Sequence, residues 1–479
     1  MILTIDFGTT NLKAALVNKQ GKFFNYTSKE VSICTDRDIY EINANVYLDF
    51  ICEYMKTINP KQVEAIAISS NGPSFISLYS DIKVTDNKFI YESSPVRLWM
   101  DKRGAKYSKQ VSDYYNTYID GSFFLPSILS IKDADINQYN KTSAFLTIDG
   151  FINLALTNKA YTVNNADGLL KYYWNEDSLN FFDLDINKFP PFIKCGDILG
   201  TISKQVSKLF DLEENVQVIA GGSDFYYSII GSKVYDKNIM VDINGTSEGL
   251  NLCVEKPIKD NRFLCYEHPV KGFYNLSGVL SNSGIALNWL RKVLNIEDLE
   301  FNEVYHLAKK ANENNLIFLP YLTGERAPIW NPKATATLFN LTINTQREEI
   351  SKAVLEGTIF AFNSVIKELE LLGCTINEIH VTSAKENLDY YYQLKSDITN
   401  KKFIVYDTLS AELLGLAMLS YTTLNQYPTL KQAIKDMKQE SQEFTPNRDK
   451  HNYYANKFKQ YNALYDLTSK LMMNKTSMQ

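Results

Sequence analysis

The sequence predicts an α/β protein of two large domains, and three observations carry that prediction. Its 479 residues exceed what a single hydrophobic core ordinarily organises. Short β-prone runs alternate with segments of helical periodicity along the whole length, which indicates mixed layers. One arrangement also occurs twice: ILTIDFGTTNLK at 2–13 and IMVDINGTSEGL at 239–250 each join an apolar run, an aspartate, and a glycine followed by two hydroxyl residues.

The first thirty residues read as paired strands, with ILTIDF, AALVN and KFFNYTS set apart by the turn residues NKQG. VEAIAISS is a buried strand and NGPS the loop leaving it. The apolar positions of 140–158, NKTSAFLTIDGFINLALTN, suit a helix. VQVIAGGSD passes from strand to loop, and YYSIIGSKVY reads as helical. The second half opens again with strands, NIMVDI, SEGLNLCV, RFLCYEH and GFYNLSGV. SNSGIALNWLRKVL is an amphipathic helix with Ser281 or Ser283 as its N-cap. FLPYLTGERAPIWNP is a proline-punctuated loop, and the long helix beginning REEISKAV ends at Gly373. EIHVTSAK and KKFIVYD are strands, and ELLGLAMLSYTT is another helix. In the tail, Tyr454, Phe458, Tyr461 and Tyr465 line one face of a closing helix. The natural domain boundary lies near 233–239, giving domains of 1–236 and 237–479.

Composition narrows the chemistry. Apolar residues at 45% and charged residues at 22% are globular values. No apolar run reaches the roughly 18–20 residues that span a bilayer. MILTIDFGTT has no basic region and does not read as a signal peptide. Six cysteines without a C-x-x-C pair fit reduced thiols in a cytoplasm. A net charge of −5 and a pI near 5.6 argue against nucleic acid or anionic membrane as the main partner. The four histidines are too far apart in sequence to point to a zinc site or a histidine triad. Carboxylates, hydroxyls and backbone amides are left to carry the chemistry.

A hairpin turn of sequence Gly-Thr-Thr exposes several backbone N–H groups beside two hydroxyls, a concavity suited to phosphate. Gly8, Thr9 and Thr10 form the first such turn, and Gly245, Thr246 and Ser247 the second. Asp6 is placed to hold a hydrated magnesium ion, and Lys13 adds a cation near the same anion. One copy alone is an ordinary tight hairpin; two copies opening two halves of a chain fit a polyphosphate clamped from both sides. The second turn also satisfies the G-x-S-x-G pattern of hydrolases, but that elbow needs a following helix, and LNLCVEKP is strand-like.

On these residues the chain resembles the FGGY family of carbohydrate kinases. Five segments between residues 4 and 362 carry the resemblance, in the family's order and spacing. They are TIDFGTTNLK, LWMDKRG, VIAGGSD, FLPYLTGERAPIWNP with LFNLT, and SKAVLEGTIFAF. The resemblance implies two ribonuclease-H-like (actin-like ATPase) domains flanking a deep cleft, each with its own phosphate hairpin. It implies transfer of the γ-phosphoryl group of ATP to a hydroxyl of a sugar, polyol or sugar acid, a ketose such as xylulose first. Asp224 takes the place of the catalytic base, with N-capping as its structural alternative. Asp6 and Asp224 stand at Mg2+, and Gly8, Thr9, Thr10, Lys13, Gly245, Thr246 and Ser247 at the phosphates. Gly284 and Asn288 border the adenosine or simply pack a helix, while Ala384, Lys385 and Asn387 occupy the other nucleotide turn. Asn71, Gly72, Pro73, Trp99, Asp101, Arg103 and Phe225 are placed toward the acceptor. A buried Asp101–Arg103 pair with a core tryptophan is the equal alternative, and Glu325 and Arg326 read as structural.

The chain departs from the family in three places. VTSAKEN replaces a glycine-rich nucleotide turn, so side chains hold the backbone further from a nucleotide. LPSILSIK has Ser127 and Ser130 where lysine and tryptophan are usual, a change that concerns packing. SSNGPSF has neither the Met-His of xylulokinases nor the Arg-Glu of glycerol kinases. Two readings follow, an active sugar kinase or a silent sugar-binding relative, and retention of Asp6, both turns and Asp224 favours the enzyme. A chaperone-type ATPase lacks support, since no substrate-peptide domain is present. A homodimer is the expectation by analogy alone.

Overall fold

The structure, a computed structural model, describes residues 1–245, 247–297, 302–383 and 388–473. The chain forms two compact units, Met1–Lys233 with Leu409–Lys438, and Val234–Thr408 with Gln439–Gln479. No helix among the described residues is long and apolar enough to cross a membrane.

The first unit is built on a six-stranded sheet in the order Ile198–Thr201, Gln217–Ser223, Ala65–Ser70, Ile2–Phe7, Asn11–Val17, Phe23–Glu30. The last three form an antiparallel meander, Ile2–Phe7 pairs in parallel with Ala65–Ser70, and Ala65–Ser70 in parallel with Gln217–Ser223. Ile198–Thr201 closes the edge antiparallel. The inner strands are buried on both faces, which explains why ILTIDF and AIAISS read as continuous apolar runs.

The second unit repeats this plan. Tyr274–Leu280, Glu248–Val254 and Ile239–Asn244 form the meander, Glu378–Ser383 and Lys402–Asp407 follow in parallel, and Ser441–Phe444 is the antiparallel edge. Leu264–Glu267 extends the meander by one strand. The duplication visible in two short sequence motifs therefore extends over six strands of each sheet.

The two hairpins are nevertheless out of phase. Asp6 lies two residues before Gly8, whereas Asp242 lies three before Gly245. Side chains alternate along a strand, so Asp242 takes the core-facing place of Ile5, and Ile243 stands where Asp6 would be. The second aspartate is thus no counterpart of the first.

Two local expectations are corrected. Residues 140–158 are not one helix: Ala144–Thr147 is a strand paired with Phe75–Leu78, and the helix is Ile148–Thr157. Thr147 ends the strand by accepting the Gly150 N–H at 3.2 Å, a cap that the apolar pattern concealed. The Ser283–Val293 helix is capped at Asn282, without a side-chain cap bond, not at Ser281 or Ser283.

Loop 71–74 joins the main sheet to a second, five-stranded sheet of the first unit through Phe75–Leu78, and Trp99 follows its Val96–Arg97 strand. Arg97 reaches from that strand to the Ser127 carbonyl at 3.2 Å, Ser127 Oγ at 3.1 Å and Ser130 Oγ at 2.8 Å. The two serines of LPSILSIK are therefore acceptors for a cation supplied by a neighbouring strand.

Candidate active site

The first unit gathers its functional groups where three elements end. Asp6 is near the end of Ile2–Phe7, Lys13 faces it across the hairpin, and Asp224 opens the Asp224–Gly231 helix after Gln217–Ser223. Glu412 enters from the first turn of the Ala411–Thr423 helix. Lys13 Nζ lies 3.1 Å from Glu412 Oε2 and 4.0 Å from Asp6 Oδ2. Ser69 Oγ donates to Asp6 Oδ1 at 2.7 Å. Glu412 also accepts from Ser410 Oγ at 2.6 Å and from Ser228 Oγ at 3.1 Å.

Asp6 and Glu412 thus share one ammonium, whose charge is also felt at Asp224. Burial and the neighbouring Glu412 push the Asp6 carboxyl up to about 7, against the pull of Lys13 and Ser69. Asp224 is raised well above the carboxylate range by desolvation, Asp6 and Glu412, although the Phe225 N–H donates to its Oδ1 at 2.6 Å. Asp224 keeps an open edge toward solvent but is otherwise densely surrounded. Burial alone would raise Glu412; Lys13 and Ser410 hold it below its usual value instead. Lys13 is raised in turn, because Glu412 and Asp6 outweigh its desolvation.

This crowding of acidic groups fits a hydrated divalent cation, whose charge would favour their ionised forms. Among the described residues no three His, Cys, Asp or Glu side chains form a complete ligand set. An ion that keeps most of its waters needs only one or two carboxylates. Lys13 faces carboxylates already, so it balances charge at the site before it meets any anion.

The residues assigned to the acceptor fall into two groups. Trp99 is exposed and its Nε1 donates to Thr9 Oγ1 at 2.9 Å, which ties this ring to the Gly8–Thr10 turn. Phe225 is half-buried beside Asp224. Asp101 is fully buried: it accepts from the Tyr40 N–H at 3.1 Å and pairs with Arg103, which also meets Glu41 at 2.5 Å. Asn71 donates to the Phe7 carbonyl at 2.8 Å and accepts from Ser74 at 2.5 Å, so its amide braces the strand end. Gly72 and Pro73 form the tip of that loop, joined by a cis bond.

In the second unit, Gly245 and Ser247 flank the turn between Asn244 and Glu248. Glu248–Val254 follows at once as a strand, which removes the hydrolase elbow. Gly284 and Asn288 lie one turn apart on the Ser283–Val293 helix, both at least partly exposed. Thr246, Ala384, Lys385 and Asn387 lie outside the described residues. Glu325 accepts from the Ser281 and Arg326 N–H groups at 2.6 and 2.8 Å, an internal brace as its sequence context implied.

Sequence reasoning missed Glu412 and a second cluster, Asp242, Glu248 and Lys395. Glu412 lies 399 residues from Lys13 within an apolar helix, and an acidic residue in a first helical turn is ordinary. Lys395 sits in a tyrosine-rich helix where nothing in the spacing marks it.

Both units carry the meander, paired parallel strands and antiparallel edge of actin-like ATPase domains, and this defines the class of the protein. The family is shown directly. The N-terminal domain of the FGGY family of carbohydrate kinases matches residues 1–231, and its C-terminal domain matches residues 241–424. The chain belongs to the FGGY family and is a carbohydrate kinase. It is 25% identical to a xylulose kinase of Staphylococcus epidermidis over 98% of this chain and 97% of that one. It is 23% identical to a gluconokinase of Bacillus subtilis over 94% of this chain and 92% of that one. The crystal structure of ligand-bound xylulose kinase from Lactobacillus acidophilus shares the fold, with a TM-score of 0.83 at 23% identity, covering 98% and 99% of the two chains.

Proposed function

We propose that the protein transfers the γ-phosphoryl group of ATP to a hydroxyl of a small sugar or polyol. A ketose such as xylulose is the first acceptor to try, and gluconate, a sugar acid, the second. The observation that carries this reading is the group of Asp6, Asp224 and Glu412 around Lys13, beside the Gly8–Thr10 turn. Phosphoryl transfer asks for positioning, charge neutralisation and one carboxylate to take the alcohol proton. Asp224, with its raised proton affinity, is assigned that last role. Asp6 and Asp224 are the residues that would hold Mg2+, which when bound offsets phosphate charge. Thr9 and Thr10 offer hydroxyls to the phosphates; the turn 245–247 is assigned to phosphate as well, and Gly284, Asn288, Ala384, Lys385 and Asn387 to the adenosine side. Trp99 and Phe225 are the acceptor-facing aromatics.

Release of ADP with Mg-ATP over a panel of ketoses, polyols and sugar acids tests the reading. One acceptor should give turnover, and Asp224→Asn should lower kcat by about 100-fold or more while leaving the fold intact. Acceptor binding by calorimetry without turnover on any member would instead support a silent sugar-binding relative. A cytoplasmic setting agrees with Cys34, Cys52, Cys195, Cys265 and Cys374 standing as thiols. A homodimer is checked by sedimentation.

A further inference from the structure

We infer that Lys395 is a positioning residue for the nucleotide, a single buried ammonium that holds three segments of the second unit in register. The inference rests on the assignment above of Gly245, Ser247, Gly284 and Asn288 to ATP.

Lys395 lies on the Asp389–Thr399 helix and is fully buried. Its Nζ meets Asp242 Oδ2 at 2.5 Å, Glu248 Oε1 at 2.5 Å and Asn244 Oδ1 at 3.3 Å. Asn244 is the last residue before the phosphate turn and Glu248 the first after it, so both arms of that turn are fastened to one group. Glu248 in turn accepts from Ser283 Oγ, at the start of the helix that carries Gly284 and Asn288. The Phe362 and Tyr391 rings, 4.4 and 4.9 Å from Nζ, enclose the ammonium and fix its place.

The charges close among themselves. Burial drives the Asp242 carboxyl toward its neutral form, while Lys395 overcomes the same effect at Glu248 and holds it ionised. Stability alone does not require such a cluster, since apolar side chains of similar volume commonly fill a buried ionic site without loss. What the ionic version supplies is directional bonding, which sets the spacing of the hairpin, the Ser283–Val293 helix and the Asp389–Thr399 helix. Through these neighbours it acts on ATP without touching it.

The test separates geometry from stability. Lys395→Met is compared with the triple variant Asp242→Leu/Glu248→Leu/Lys395→Met, which leaves no unpaired buried charge, and with Lys395→Arg. ADP binding is measured by calorimetry, with KM for ATP, KM for the acceptor, kcat and thermal midpoint alongside. The triple variant should fold and melt close to the parent, yet bind ADP at least tenfold more weakly with a matching rise in KM for ATP. Acceptor KM and kcat should stay within about threefold, and Lys395→Arg should recover part of the ADP affinity. A folded triple variant with parental ADP affinity, or one that does not fold at all, makes the cluster purely structural and overturns the inference. A parent protein that binds no ADP removes the underlying nucleotide assignment instead, a result distinct from either.

Discussion

At the residue scale, the structure shows which polar side chains are already committed to partners within the protein. Asp101 and Arg103 are the clearest case, because their sequence context allowed substrate contact or a buried pair equally. In the fold, Asp101 is surrounded by the Tyr40 N–H and the Arg103 guanidinium with nothing left over. Asp101→Asn should therefore destabilise the protein by about 1–3 kcal/mol, through the charge it takes from Arg103. It should leave acceptor KM within about twofold, which denaturant melts and steady-state kinetics together would check. His268 gives a second residue-scale prediction. It is buried, its Nδ1 accepts the Val270 N–H at 3.0 Å, its Nε2 has no partner among the described residues, and desolvation lowers its pKa to about 3. An unfolded histidine titrates near 6.5, so between those two values the unfolded chain binds more protons than the folded one. The contribution of His268 is complete above about pH 6.5 and is lost as pH falls toward 3. Going from pH 7 to 5 should cost about 2 kcal/mol from this group, and His268→Asn should lose correspondingly less over that interval. Equal pH slopes for the two proteins would sink the argument.

At the scale of elements, the site depends on how closely two helices approach. A methyl group on Gly231 would run into the Ala411 carbonyl, and one on Gly415 into the Tyr227 carbonyl. Glycine at both crossings lets the Asp224–Gly231 and Ala411–Thr423 helices meet backbone to backbone, which brings Glu412 within reach of Ser228 and Lys13. Gly415→Ala should push the helices apart, cost about 1–3 kcal/mol of stability and displace Asp224, the residue proposed as the base. The kinetic signature is a fall in kcat that exceeds the rise in acceptor KM. An alanine variant with unchanged kcat would show that the close approach serves packing alone. Most elements could be read in advance, because buried strands such as ILTIDF and amphipathic helices such as SNSGIALNWLRKVL carry strong patterns. Residues 144–147 could not, since AFLT followed by an apolar helix has no break in hydrophobicity, and only the Thr147 cap divides them. The in-register look of Asp6 and Asp242 misled for a related reason: one residue of offset reverses the face of a strand, while the two motifs still look alike as text.

At the scale of the whole molecule, the duplication was legible because each copy opens with a hairpin turn of glycine and two hydroxyl residues, and six strands of one sheet have counterparts in the other. The return of Leu409–Lys438 to the first unit was not legible, since ELLGLAMLSYTT has the composition of any buried helix. That return has a measurable consequence. Leu413, Leu414, Leu416, Ala417, Met418 and Tyr421 are all buried, Tyr421 OH donates to the Val17 carbonyl at 2.9 Å, and Thr423 Oγ1 to the Gly196 carbonyl at 2.8 Å. Lys233, at the end of the first segment, donates to the Ile434 carbonyl at 2.8 Å and to that of Met437. Burying a large apolar side chain contributes about 1.5–3 kcal/mol, so the Ala411–Thr423 helix accounts for roughly 10 kcal/mol. That is comparable with the about 5–15 kcal/mol that holds a whole domain together. A fragment of residues 1–236 should therefore lack a cooperative thermal transition, whereas residues 1–233 joined by a Gly/Ser linker to residues 409–438 should recover one. Circular dichroism melts of the two decide the matter. A sharp transition in the shorter fragment would mean that the helix is an accessory to the first unit, and a flat trace in both would mean that the first unit draws its stability from more of the chain than these two segments.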